Sequence, residues 1–423
     1  MSSSADPLRL EYGTPASGLS VVRQPPPAGA ASFSATYVGP AGWGFDPKGR
    51  EGTARIASYL LSSGAGPFDR VALARYLDRA GASLTTECAP ESAEVTIWGP
   101  ASDWRRFLGL LADVVLRPRF ATEDLERVQR QMTERQLRES SQPASRADRE
   151  LFHATYPTGH PYRTFGLGNA RSVGRVTPDR LREFHRTHYA SGDAILVVTT
   201  FASLRTVEST ARSCFSSLPE RPGPTLPMPP VRAHASRRFD VNLKGRSQVE
   251  IRVGGNSIPR SDPLYPAAFL ANEVLGGRAQ LSRLFQRVRE QGGLVYHASS
   301  ELESMRFGGY WSVGAGTGPD RYEKVLELLR HEIREVSARL LPPTELKEVR
   351  ESSIGEIPLA LETTAEAHEL AVETAYHRLP PDFLLRWPSL LRSVTPEEVQ
   401  LAARRAMDGR TATTVLAGPL SEG

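Results

Sequence analysis

The chain repeats itself at a spacing of roughly 220 residues, which restricts it to architectures built from two copies of one unit. Thr122-Glu-Asp-Leu-Glu-Arg-Val128 recurs as Thr344-Glu-Leu-Lys-Glu-Val349. Val176-Thr-Pro-Asp-Arg-Leu181 recurs as Val394-Thr-Pro-Glu-Glu-Val399, and Ala194-Ile-Leu-Val-Val-Thr-Thr200 as Ala412-Thr-Thr-Val-Leu-Ala-Gly418. Each match is short, but together they keep their order and nearly one offset. At 423 residues the chain has room for two such units, each with its own core.

The local chemistry of the repeated pieces is readable. A Thr before Pro and two acids starts a helix: the hydroxyl caps, Pro fits the first turn, and the carboxylates sit near the positive end of the dipole. Ala194 to Phe201 is a β-branched apolar run and reads as a strand. In the first half, Glu94–Trp98 is predicted as a strand, followed by an amphipathic helix over Asp103–Leu116. In the second half, Gly309–Val313 and the helix Asp320–Leu340 take the same places, and the strands Phe239–Leu243 and Val249–Val253 open the unit. Strands alternating with long helices, then several helices in succession, indicate an α+β class. Six prolines in Leu218–Pro230 oppose both helix and sheet pairing and mark a linker. The expected division is 1–217, a linker over 218–236, and 237–423.

Charge excludes some functions. The 52 basic and 48 acidic residues are interspersed and leave a net charge of +4, with no basic stripe for nucleic acid and no polybasic membrane patch. No apolar run reaches the ~18 residues of a membrane helix. The N-terminal Met-Ser-Ser-Ser-Ala-Asp-Pro lacks the features of a signal peptide, so a cytoplasmic protein is expected unless a leader has been removed. Cys88 and Cys214 stand far apart in no metal-like spacing and read as isolated thiols, with a single disulfide between them as the alternative.

Several motifs fall in order along nearly the whole chain, about Leu8 to Leu420. They are Arg50-Glu-Gly52 leading into a helix, Val114–Phe120, His160-Pro-Tyr162 before Gly166-Leu-Gly168, and Phe184-His-Arg-Thr-His-Tyr189. Leu275-Gly-Gly277, Ser282–Gln286 and Arg287-Val-Arg-Glu-Gln-Gly-Gly-Leu-Val-Tyr296 follow in the second half. In these the sequence resembles the pitrilysin/insulinase (M16) zinc peptidases, in the short bacterial branch related to the mitochondrial processing peptidase. The resemblance implies two homologous α+β domains, each an antiparallel sheet flanked by helices. It also implies pairing of two chains around a peptide-binding chamber.

In active relatives a helix carries His-x-x-Glu-His: the two His bind zinc and the Glu activates the metal-bound water. A further Glu downstream completes the ligand set. The corresponding helix here, within Gly52–Ala65, has Arg55 and Tyr59 at the His positions and Ser58 at the Glu position. Arg135 or Gln136 falls at the downstream position, with Glu134 one or two residues away. A guanidinium stays charged and cannot act as a neutral ligand, so no metal is expected in this chain. Arg55 and Tyr59 are expected to fill the vacated pocket, pairing with nearby acids or carbonyls. His185 and His188 are expected to make helix-end hydrogen bonds, and His331 and His368 to lie on solvated helix faces.

Arg289 and Tyr296 resemble the arginine–tyrosine pair of the family's second domain, which binds the substrate backbone and the developing oxyanion. Gln291-Gly-Gly293 would end the helix that carries Arg289 and turn the chain into the strand that carries Tyr296. In some bacterial relatives the zinc motif and this pair are divided between two chains. The resemblance therefore implies a non-zinc subunit that lends Arg289 and Tyr296 to a zinc site on a homologous partner, in a heterodimer that hydrolyses peptides. The alternative is a catalytically inert structural or peptide-binding subunit.

Overall fold

The computed structural model of the chain describes residues 8–13, 19–189, 193–218, 222–232, 235–278, 280–290 and 292–420. They form two compact units. The first takes in residues up to 136, 165–227 and 357–386; the second takes in 137–164, 228–356 and 387 onward. Each unit thus contains a helical segment from the opposite half of the sequence.

The first unit is built on a six-stranded sheet. In chain order its strands are β1 (Glu11–Tyr12), β2 (Leu19–Gln24), β3 (Ser32–Gly39), β4 (Ser83–Cys88), β5 (Ala93–Pro100) and β6 (Ala194–Thr199), and in space they run β1-β2-β6-β3-β5-β4. All neighbours are antiparallel except β2 and β6, which are parallel. β6 is buried along its whole length, as its unbroken apolar run requires of a strand covered on both faces. On one face lie α1 (Thr53–Leu61) and α2 (Trp104–Leu116), which bring Ile56, Leu60, Phe107, Leu108 and Leu111 into the main core. Phe107 stacks on Phe33 of β3 with ring centroids 5.9 Å apart. The other face is closed by α3 (Thr364–Tyr376), whose Ala371, Val372 and Ala375 pack with Val22, Val38, Ile195 and Val197.

The expectation of a solvated face for His368 is wrong. His368 lies on the buried stripe of α3 with Ala367 and Ala371, its Nε2 2.7 Å from Thr36 Oγ1 and its Nδ1 2.7 Å from Thr199 Oγ1. The network assigns the tautomer. Thr199 Oγ1 donates to Gln24 Oε1 at 2.8 Å, so Nδ1–H donates to Thr199, and Nε2 accepts from Thr36. His331 is exposed, as expected.

The second unit repeats the first. Its strands are β7 (Arg237–Asn242), β8 (Val249–Ser257), β9 (Val295–Ser304), β10 (Gly309–Thr317) and β11 (Thr413–Gly418), in the spatial order β9-β10-β8-β11-β7. Again one neighbouring pair is parallel, β11 with β7. Helix α4 (Tyr322–Ala338) places Val325, Leu326, Leu329 and Ile333 in the core on one face. On the other lies α5 (Pro143–Thr155), from the first half of the sequence, with Asp148 Oδ1 accepting from Arg252 Nε of β8 at 2.6 Å. The repeated threonine signals both cap helices. Thr177 accepts from Arg180 N–H, and Thr395 forms a capping box with Glu398. Both cysteines are free thiols.

Candidate functional site

Helix α1 enters the site through an unusual start. Gly52 at its N-cap is left-handed, and Asp46 reaches back to the first turn. Its Oδ2 accepts from Gly52 N–H at 2.6 Å and its Oδ1 from Ala54 N–H at 2.7 Å. Burial pushes the Asp46 carboxyl up to about 7, while the two N–H bonds pull it down.

Each residue expected at a zinc-motif position has a polar contact within the first unit. The guanidinium of Arg55 lies over the indole of Trp43, 4.7 Å from the ring centroid, and its Nη2 donates to Phe165 O at 2.8 Å. Ser58 is fully buried and donates to Glu87 O of β4 at 3.1 Å. The Tyr59 hydroxyl lies 3.5 Å from Arg135 Nη1. Gln136, near the end of the helix Thr122–Ser141, donates from Nε2 to Leu167 O at 2.6 Å. Of residues 134–136, Glu134 and Arg135 are exposed and Gln136 is half-buried.

Arg55 and Gln136 therefore tie down two carbonyls of one loop, Phe165 to Gly168. The loop's own sequence permits the close approach. Gly166 and Gly168 have φ of +65° and +60°, and a Cβ would fall 2.6 Å from Trp43 Cβ at the first and 2.0 Å from Glu51 O at the second. The donor set does not fit zinc: a cation, two hydroxyls and an amide stand where neutral imidazoles and carboxylates are needed. Among the described residues no group of three or more His, Cys, Asp and Glu side chains could hold a metal ion. His185 Nε2 donates to Val115 O at 2.6 Å, and His188 Nδ1 lies 3.2 Å from Pro40 O, so each ring has a nitrogen on a backbone carbonyl.

In the second unit, Arg289 lies near the end of a helix, as expected, and that helix is a π-helix, Leu284–Glu290. Leu284 and Val288 anchor it in the core. Two ion pairs clamp it from the side: Arg283 with Glu345, at 2.7 and 2.6 Å, and Arg287 with the buried Glu332, at 3.0 and 2.9 Å. Arg289 is exposed, with its guanidinium 4.8 Å from the ring centroid of Phe285. Its carbonyl accepts from Gly293 N–H at 2.9 Å, while its guanidinium makes no hydrogen bond or ion pair among the described residues. Gln291 lies outside the described residues.

Tyr296 stands on a β-bulge. Val295 pairs with Thr317 and His297 with Gly316, so Tyr296 is the extra residue between them. It is 64% exposed. Such a bulge re-aims a side chain out of the sheet's alternation, and here it frees the phenol at the first turn of an edge strand.

Beside Tyr296 lies a residue that the sequence reading did not single out. His297 Nε2 is 3.5 Å from Glu250 Oε2, and the same buried carboxylate accepts from Arg252 Nη1 at 3.0 Å. A Cβ at Gly316, opposite His297, would fall 2.7 Å from Glu250 Oε1. Gly316 in β10 was the available signal, since glycine inside a strand marks a close approach.

Comparison with known proteins gives one consistent direction. Residues 175–353 match the peptidase M16 inactive-domain family. An uncharacterized zinc protease of Streptomyces coelicolor is 28% identical over 266 residues, a match that spans 60% of this chain and 56% of that protein. Another, of Mycobacterium tuberculosis, is 26% identical over 370 residues, covering 87% of this chain and 84% of that one. The crystal structure of a peptidase M16 inactive domain from Pseudomonas fluorescens superposes with a TM-score of 0.90 at 24% identity, over 97% of this chain and 98% of that one. It shares the fold described above. No helix among the described residues is long and apolar enough to cross a membrane.

Proposed function

The chain belongs to the M16 peptidase family as a member of the inactive type, and from that premise we propose that it is the non-zinc subunit of a two-chain peptidase. In this reading it binds a peptide substrate and lends Arg289 and Tyr296 to a zinc site on a homologous partner. The observation that carries the reading is a contrast. Arg55, Ser58 and Gln136, at the positions of the zinc motif and its downstream ligand, are tied to backbone carbonyls, whereas the side chains of Arg289 and Tyr296 are exposed and make no hydrogen bond among the described residues.

The chemistry follows from that freedom. Amide hydrolysis builds negative charge on the scissile carbonyl oxygen, and donors fixed before the reaction stabilise it without reorganisation. Arg289 lies over the Phe285 ring and Tyr296 stands on the bulge, so both would offer N–H and O–H groups to a bound substrate. Zinc on the partner would supply the activated water. This chain's residues would hold the peptide backbone and the oxyanion.

The test mixes the purified chain with a homologous subunit that has an intact zinc motif. Activity is expected only in the mixture. Arg289→Ala and Tyr296→Phe should each lower kcat by about 10²–10³-fold, the usual loss for one oxyanion donor. Full activity in the double variant would instead identify an inert structural or peptide-binding subunit.

A further inference from the structure

The two sheets match strand for strand except at one edge. In the first unit the outer edge of β2 is paired: β1 lies antiparallel to it, with Glu11 opposite Arg23 and Tyr12 opposite Val22. Arg23 Nη1 donates to Glu11 Oε1 at 2.7 Å, an acid on the added strand meeting an arginine on its host. In the second unit β7 holds the place of β2, parallel to its neighbour in the same way. Among the described residues nothing holds the place of β1. β7 is an open edge, exposed at every position but Val241.

Beside this edge is a cavity of about 750 Å³, between the C-terminal turn of α5 and β7. Its charges are not balanced. Arg163 is engaged with the carbonyls of His153 and Tyr156, which end α5. Glu150, the acid of the lining, lies 3.7 Å from Arg146. Arg232 and Arg237 line the cavity with guanidinium groups that make no hydrogen bond or ion pair among the described residues, and Phe239 adds an exposed ring. Arg238 and Asp240 pair with each other, and Arg238 also with Glu323.

We propose that the free edge of β7 takes an extended acidic peptide segment, laid antiparallel to β7 as β1 is to β2. Its carboxylates would meet Arg232 and Arg237, and an apolar side chain would lie on Phe239. Strand addition draws its affinity from main-chain hydrogen bonds and its selectivity from alternate side chains. Charges on an edge strand ordinarily discourage pairing; two unpaired arginines discourage a basic segment, or the β7 of a second copy, and leave an acidic one favoured. This edge lies across the sheet from β9, which carries Tyr296, so the proposal stands apart from the peptidase reading.

Fluorescence anisotropy with the full chain tests it, using a labelled octapeptide of alternating Glu and Val. Saturable binding that weakens with salt is expected. The double variant Arg232→Glu/Arg237→Glu should weaken it by about tenfold or more. The same octapeptide N-methylated at alternate residues keeps every charge but loses strand donors, and it should not bind. Failure of the parent peptide to bind, an unchanged affinity in the double variant, or equal binding of the methylated peptide would each overturn the proposal. Both arginines are exposed, so a thermal melt matching the unaltered chain should confirm that the variant folds.

Discussion

At the scale of single residues, His368 carries a pH dependence. Its ring sits between two hydroxyls, with Nε2 accepting and Nδ1 donating. A second proton would turn the acceptor into a donor facing a hydroxyl already committed to it. Burial pushes the His368 pKa down to about 3, against about 6.5 in an unfolded chain. The unfolded state therefore binds a proton that the folded state refuses, and stability falls as pH drops from 6.5 toward 3, by about 1.4 kcal/mol per pH unit. Urea unfolding at pH 7 and pH 5 should show a drop in the parent chain that exceeds the drop in His368→Gln by about 2 kcal/mol. His160, held down to about 4 by burial, pulls in the same direction, but it is present in both proteins and cancels. An equal drop in both would refute the assignment. The sequence held the signal for this residue: Ala367, His368, Ala371 and Ala375 form one helical stripe. The surrounding acids made that stripe look solvated, and only the sheet beneath it shows otherwise.

At the scale of elements, much was legible and the exceptions share a cause. The strand at Ala194, the helix over Asp103–Leu116 and the threonine caps rest on short-range rules, and they stand within a few residues of where those rules put them. The π-helix at Leu284–Glu290 and the bulge at Tyr296 were not legible, because each depends on which carbonyl an N–H selects across a turn or a ladder. What holds the π segment is visible in the packing. Arg287 faces Glu332, whose side chain is only 4% exposed, while Arg287 itself is half-exposed. Arg287→Met would leave that carboxylate buried without its partner. With solvent screening on the arginine side, the cost should be about 1–3 kcal/mol, read as a lower thermal midpoint. The double variant Arg287→Met/Glu332→Leu should recover part of the loss, because it removes the stranded charge as well. A single variant as stable as the parent would mean that the clamp does not hold the segment.

At the scale of the whole molecule, the repeat was legible and the exchange of helices was not. Two matching halves suggest two self-contained domains, yet the sheet of each unit is closed by a helix from the other half: α3 on the first, α5 on the second. The choice rests on contacts between residues hundreds of positions apart, which no local pattern records. Without α3, the first sheet would bare Val22, Val38, Ile195 and Val197, an apolar face of the kind that drives aggregation. Residues 1–217 expressed alone should therefore aggregate or bind a hydrophobic dye, and co-expression with residues 237–423 should rescue them. A soluble, well-folded 1–217 fragment would argue against this account. The exchange also bears on turnover. A single protease cut in the proline-rich stretch would break the backbone without releasing either piece, since each would still be wearing part of the other. Such a nicked chain should run as one species on gel filtration and as two bands on a denaturing gel, a molecule whose continuity is kept by its packing after its covalent thread is lost.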